Sequence, residues 1–253
     1  MSRHLLLTLI VALAAPVFAE PSAREKELTY LRTILSEDLL PYANLEVPAA
    51  ENVAIAGAGA DQHLGLHIFP GQKKRNGGIR AEVSVDFPFT AGETVRYEWK
   101  LMVPPGFKTD APRNRWWIIA QWHDQPDKSR GETWSGFPSR SPPVLLGLGE
   151  VGGRIGFGFE YGIDHAQKKG PFFLEPGKWH TLAMVVRWSQ QADGRAALYL
   201  DEMAKPVAVA EGANMHNGYQ HFLKLGMYRH LEIQTDNWIY LDAVRITREA
   251  GHR

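Results

Sequence analysis

The chain has 253 residues, with 28 Lys and Arg balanced by 28 Asp and Glu, 44% apolar content, eight Trp, eight Tyr and no Cys. The balanced charge argues against a nucleic-acid partner, which usually demands a strongly basic domain. The lack of Cys excludes a disulfide framework, a thiolate nucleophile and a Cys-ligated zinc. Length and apolar content suffice for one large all-β unit with a full core.

At the N-terminus, Arg3 and His4 precede an apolar run from Leu5 to Val17, and Val17-Phe18-Ala19 offers small residues for cleavage. Residues 1–19 are therefore expected to be a signal peptide and 20–253 a single domain. The run is too short and too weakly flanked to span a membrane. The mature protein is expected to be secreted or periplasmic, without membrane association and monomeric. The leader carries one Arg and no acidic residue, so its removal leaves one negative charge in excess.

From Ala23 to Leu40, Leu28, Leu31, Ile34 and Leu35 recur at helical spacing until Pro41 stops the run. The period then changes to two. Strands are expected over Asn52–Ala56, Leu64–Phe69, Ile79–Phe87, Val95–Val103, Trp116–His123, Val144–Leu148, Arg154–Phe159, Trp179–Trp188, Ala196–Leu200, Val207–Ala210, Phe222–Arg229 and Trp238–Ile246. Turn clusters such as Asn76-Gly77-Gly78, Pro104-Pro105-Gly106 and Asp193-Gly194 separate them. A dozen short strands with almost no helix indicate a sandwich or barrel. Two longer connections, Asp124 to Pro143 with Lys128, Arg130, Trp134 and Arg140, and Gly162 to Pro171 with His165, Lys168 and Lys169, are expected as binding loops.

Alternation assigns side chains to faces. Arg80, Glu82 and Ser84 oppose Ile79, Ala81, Val83 and Val85. Lys224, Gly226, Tyr228 and His230 oppose Leu223, Leu225 and Met227. Trp117, Ile119, Gln121 and His123 oppose Trp116, Ile118, Ala120 and Trp122. If the polar rows share a sheet, they form a floor holding cations, an imidazole and a phenol. Singly, each residue has an ordinary explanation, such as a surface ion pair for Arg80 and Glu82. The conjunction points to a site.

Ile79-Arg80-Ala81-Glu82-Val83, then Gln121-Trp122-His123, then Gly177-Lys178-Trp179-His180, then Lys224-Leu225-Gly226-Met227-Tyr228 resemble, in order and spacing, the β-jelly-roll polysaccharide lyases, with the heparin-lyase and glucuronan-lyase branch nearest. The resemblance runs over roughly Glu51 to Thr247. It implies a concanavalin-like β-jelly-roll sandwich of two curved antiparallel sheets with a short N-terminal helix, whose groove binds an anionic polysaccharide. It also implies that His123, Tyr228 and Lys224 are catalytic and that Arg80, Gln121, Glu82, Trp117 and Arg115 bind substrate. A structural Ca²⁺ with Asp242 among its ligands, and no organic cofactor, complete what it implies. The chain has no long run of Lys and Arg of the kind a heavily sulfated ligand favours, Lys73-Lys74-Arg75 being the densest cluster, and this favours a uronan less charged than heparin.

β-Elimination at a uronate needs stabilisation of the charge that develops at the carboxylate, a base for the C5 proton and an acid for the O4 leaving group. Arg80, Gln121 and Lys224 suit the first task. Where the proton and leaving group share a sugar face, as in glucuronate or mannuronate, Tyr228 alone can serve both other steps. Where they do not, His123 is the base and Tyr228 the acid. A free phenol, with pKa ~10, is a poor base at neutral pH, and neighbouring Lys224 and His123 would favour its phenolate. Two alternatives stay open: a glycan-binding module without turnover, and a glycoside hydrolase, which would need two carboxylates at catalytic separation.

Overall fold

The computed structural model describes residues 21–249, so the expected signal peptide lies outside the described residues. Ser22 caps a helix α1 (Ala23–Leu31), its side chain accepting from the Glu25 N–H at 3.1 Å. The helix stops nine residues short of the expected end. Leu35 instead forms a bridge with Val244, and the Val244 N–H donates to the Ile34 carbonyl at 2.8 Å. Two turns, one on either side of this bridge, let Ile34, Leu35, Leu39 and Leu40 all enter the core, which one helical face could not do.

The strands follow as β1 (Ala43–Glu46), β2 (Val53–Ala56), β3 (His63–Ile68), β4 (Ile79–Val85), β5 (Thr94–Met102), β6 (Trp117–His123) and β7 (Val144–Val151). They continue as β8 (Arg154–Tyr161), β9 (Gln167–Phe173), β10 (His180–Arg187), β11 (Arg195–Leu200), β12 (Ala208–Glu211), β13 (Phe222–Arg229) and β14 (Asn237–Arg248). Two seven-stranded antiparallel sheets result, ordered β1-β4-β13-β6-β7-β8-β9 and β12-β11-β10-β5-β14-β3-β2. The expected all-β two-sheet sandwich with a short N-terminal helix is what the chain adopts. All twelve expected strands are present, with shifted ends.

Two strands escaped the sequence reading. β9 occupies the second half of the connection expected as a loop from Gly162 to Pro171, while β1 has only four residues. Both are outermost in their sheet. An outermost strand buries little, so β9 (Gln-Lys-Lys-Gly-Pro-Phe-Phe) shows no apolar alternation; its Lys and Pro are the residues that protect an open edge from further pairing.

Between the sheets lies a continuous core that includes Tyr97, Trp99, Trp122, Phe159 and Trp188. Within it, Trp188 Nε1 donates to Tyr97 Oη at 3.1 Å. On the first sheet, Ala81, Val83, Val85, Leu223, Leu225 and Met227 face this core as the alternation predicted. β6 departs from it. Ile118 pairs with Gly147 and Ala120 with Leu146, so one residue of β6 is left without a partner on β7. Such a bulge switches the faces on either side of it. Trp117, Ile119, Ala120 and Trp122 therefore all join the core, while Trp116 and Ile118 share the outer face with Gln121 and His123.

Candidate active site

The outer face of the first sheet, between the connection 124–143 and the start of β9, forms a groove of about 1280 Å³. Arg80, Gln121, His123, Lys224, Tyr228 and Arg115 all line it, and Glu82 lies just beneath. Adjacent strands bring them together. β4 pairs with β13 and β13 with β6, so Tyr228 lies opposite Arg80, Lys224 opposite both Ser84 and Gln121, and Phe222 opposite His123.

The centre of the floor is a closed set of ion pairs. Arg80 Nη1 donates to Glu82 at 3.0 Å and lies 3.7 Å from Glu46, while Lys224 Nζ donates to Glu46 at 2.8 Å. Gln121 Nε2 donates to the other Glu82 oxygen at 2.6 Å, and Asn76 Nδ2 donates to Glu46 at 2.9 Å. The two carboxylates are tuned apart. Burial pushes the Glu82 carboxyl up despite Lys224 and Arg80, whereas those two cations hold Glu46 below the usual carboxylate range in spite of its burial. Sequence reasoning missed Glu46, because a four-residue strand has no readable face. It also missed Asn76, although Asn76-Gly77 is the strongest short signal for a tight hairpin turn. Arg75 and Gly78 bridge across that turn, with both central residues at positive φ.

Tyr228 stands at one end of the floor. The Arg80 guanidinium carbon lies 3.9 Å from its ring centroid, and the Trp116 ring meets it edge-on at 4.8 Å. Gly78 makes room for the phenol, since a Cβ there would overlap Tyr228 Cε2 and come within 3.1 Å of Arg80 Nη2.

His123 stands toward the other end. Its Nδ1 lies 2.7 Å from the Asp124 carbonyl oxygen and 3.0 Å from Asp124 Oδ1. Both neighbours are acceptors, so Nδ1 carries the proton and Nε2 is left facing the groove with its lone pair when the ring is neutral. Asp124 is wholly buried, and its other oxygen pairs with Arg140 of the connection above at 2.8 Å. Burial alone would raise the Asp124 carboxyl; His123 and Arg140 hold it below the ordinary range. Nothing in the alternation pattern marked Asp124; its place next to His123 was the available signal.

His123 and Tyr228 share a sheet face but have different ring neighbours, Phe222 for one and Trp116 and Arg80 for the other. Tyr228 pairs with Ile118, five residues before His123, a separation of roughly 15 Å at ~3.3 Å per residue.

Three expected residues sit elsewhere or in another role. Trp117, expected to bind substrate, borders the groove but is 2% exposed and packs against Phe107, with the Arg229 guanidinium over its ring at 5.0 Å. The β6 bulge turns it inward and puts Trp116 in its place. Arg115 lines the groove rim but is held by Asp110 at 3.1 Å and Glu232 at 3.3 Å. Asp242 lies on the second sheet, 3.7 Å from Lys100, and no group of three His, Asp or Glu side chains gathers as metal ligands among the described residues. The side chains around Asp242 do not fit a calcium cage, which needs several oxygen ligands and no competing ammonium. His180 of the Gly-Lys-Trp-His segment is likewise structural, bridging the Asp201 carboxylate at 2.9 Å and the Glu175 N–H at 2.9 Å.

Below the groove, His221 is buried against Trp188. Its Nδ1 meets the Tyr219 carbonyl at 3.0 Å, and its Nε2 accepts from the His216 N–H at 3.3 Å. Burial depresses its imidazole from near 6.5 to about 4. Between these pH values the unfolded chain takes up a proton that the native state refuses, so stability falls as pH drops from about 6.5 toward 4. The gap corresponds to about 3 kcal/mol. Glu46 and Asp124, held low, weaken the fold only at lower pH. Urea unfolding at pH 7 and pH 4.5 should therefore give a clear drop in midpoint, and His221→Asn should flatten that dependence. An unchanged dependence in the variant would assign it to another group.

The sequence matches the family model described as polysaccharide lyase over residues 51–245. No protein of curated function matches it. Among solved structures, the chain is similar to an endo-β-1,4-glucuronan lyase from the fungus Trichoderma reesei, at 14% identity, TM-score 0.54, and coverage of 81% of this chain and 86% of that one. It is also similar to an alginate lyase from a Chlorella virus, at 10% identity, TM-score 0.53, and coverage of 84% and 95%. At such identities these two likenesses concern the fold.

Proposed function

Since the chain belongs to the polysaccharide lyase family, we propose that its groove binds a uronan of low charge density and cleaves it by β-elimination, with Tyr228 as the reacting side chain. The observation that carries this reading is the phenol itself: it lines the groove, rests on the Arg80 guanidinium at 3.9 Å, and its hydroxyl has no hydrogen-bond partner among the described residues. A substrate hydrogen is what that oxygen is free to take. Positive charge at Arg80 stabilises the negative charge that develops as the C5 proton leaves, and the proton can then pass to the O4 leaving group.

His123 stands five residues along β6 from Ile118, the partner of Tyr228, and that backbone spacing favours a single residue serving both proton transfers. That route requires the C5 proton and O4 on one face, the arrangement of glucuronate and mannuronate. His123, with Nε2 toward the groove, would bind a neighbouring unit. Gln121 and Lys224, committed to Glu82 and Glu46, would hold the floor in shape and meet the glycan secondarily.

A hydrolase reading finds little support. The floor carboxylates Glu46 and Glu82 are closed off by Arg80, Lys224, Gln121 and Asn76, so neither is presented as a free acid or nucleophile. Export through residues 1–19 belongs to the same proposal, because a polymer is met outside the cell. Purified protein should generate ultraviolet-absorbing 4,5-unsaturated ends from glucuronan or polymannuronate, and little from polyguluronate or heparin. New reducing ends without that absorbance would mean a hydrolase. Binding without either product would mean a glycan-binding module.

A further inference from the structure

Of the eight tryptophans in the chain, Trp99, Trp117, Trp122 and Trp188 are buried and Trp179 and Trp238 half-buried. Only Trp116, at 46%, and Trp134, at 57%, are exposed, and both line the groove. They stand at opposite ends of it. Trp116 packs edge-on to Tyr228, while Trp134 packs against Phe222, whose strand position is opposite His123.

Neither indole hangs loose. Phe137 meets Trp134 edge-on at 5.4 Å and Phe222 meets it at 6.4 Å; His230 meets Trp116 edge-on at 5.8 Å. An aromatic ring fixed in place yet left in water costs burial energy that the fold does not recover alone, and it becomes favourable when a flat apolar ligand face covers it. Pyranose rings have such faces.

Along β6, from His123 opposite the Phe222 that carries Trp134 to Trp116, the floor runs seven residues with one bulged, roughly 20 Å at ~3.3 Å per residue. That length accommodates about four pyranose units end to end.

Resting on the uronan lyase reading above, we infer that Trp116 and Trp134 are sugar-stacking platforms at the two ends of the groove, and that together they set the bound length at about four units. Trp116 holds the unit at the reacting centre. Trp134 is the distal platform, and it determines the preference for chains long enough to reach it.

The test uses glucuronan oligosaccharides from dimer to hexamer, with wild-type protein, Trp134→Ala and Trp116→Ala. The wild type should show kcat/KM climbing to the tetramer and then levelling. Trp134→Ala should remove that climb, lowering kcat/KM on tetramer and hexamer about tenfold, mainly through KM, while leaving dimer and trimer unchanged. Trp116→Ala should lower it at every length. An equal loss at all lengths for Trp134→Ala, or no loss at any, would overturn the inference. Quenching of tryptophan fluorescence by the same oligosaccharides supplies the separate readout. If wild type makes no unsaturated product but tetramer binding still weakens in Trp134→Ala, the lyase reading fails and the platform stands. If the product forms and the length dependence survives the substitution, the platform fails alone.

Discussion

Replacing Tyr228 by Phe should reduce formation of unsaturated uronide by about three orders of magnitude, the middle of what one proton-transferring group contributes. The substitution deletes one oxygen and little else. The ring keeps its place over Arg80 and beside Trp116, and the space left by Gly78 still admits it. Because the phenol oxygen has no hydrogen-bond partner among the described residues, its loss leaves no buried group unsatisfied, and the thermal midpoint should stay within a few degrees. Oligosaccharide binding, followed by tryptophan fluorescence, should be nearly unchanged. A rate within tenfold of wild type would remove Tyr228 from the chemistry and make His123 the next base to test.

Gly226→Ala should be the most damaging single methyl group in the sheet. Gly226 has φ +144°, a conformation side chains rarely adopt, at the point where β13 slips register against β6. A Cβ there would overlap the Ala81 carbonyl oxygen and come within 2.7 Å of Glu82 Cα and 2.9 Å of Leu66. Two of these are fixed backbone atoms of the neighbouring strand, so relief requires moving β4, the strand that carries Arg80 and Glu82. A loss of at least about 4 kcal/mol is expected, above the usual range for one substitution, measured as a fall in the urea midpoint. Any soluble remainder should be poorly active, since the displaced strand holds the floor. A midpoint shift equivalent to under about 1 kcal/mol would show that the sheet yields there more easily than its contacts imply.

Much of this architecture was legible in the residue order. Where one face of a strand is buried and the other polar, as in β4 and β13, alternation placed Arg80, Lys224 and Tyr228 on the groove and Glu82 on the same face just beneath it, because period two is a direct record of burial. The reading failed where that record is interrupted. The β6 bulge exchanges the roles of Trp116 and Trp117, and nothing in a run of Trp-Trp-Ile-Ile-Ala marks the extra residue. β1 and β9, lying at the sheet margins, bury too little to leave a period, so Glu46 went unseen. The helix was read too long for a related reason: Ile34, Leu35 and Leu39 keep helical spacing, yet a strand partner, Val244, claims the backbone beside them. Contacts between distant segments, such as Asn76 or Lys224 with Glu46, have no local signature at all.

Of the six cations that line the groove, Arg80, Arg115, Arg140, Lys168 and Lys224 each have a carboxylate within 4.0 Å among the described residues, Lys128 being the exception. A floor so evenly compensated projects little long-range field, since opposite charges a few ångströms apart cancel beyond about a Debye length. Capture of a polyanion by such a surface depends on ring stacking and short directional contacts, with electrostatic steering a minor part of the encounter. Dissolved salt weakens attraction between separated charges but leaves stacking and close hydrogen bonds largely intact. A glycan held this way stays bound in brine.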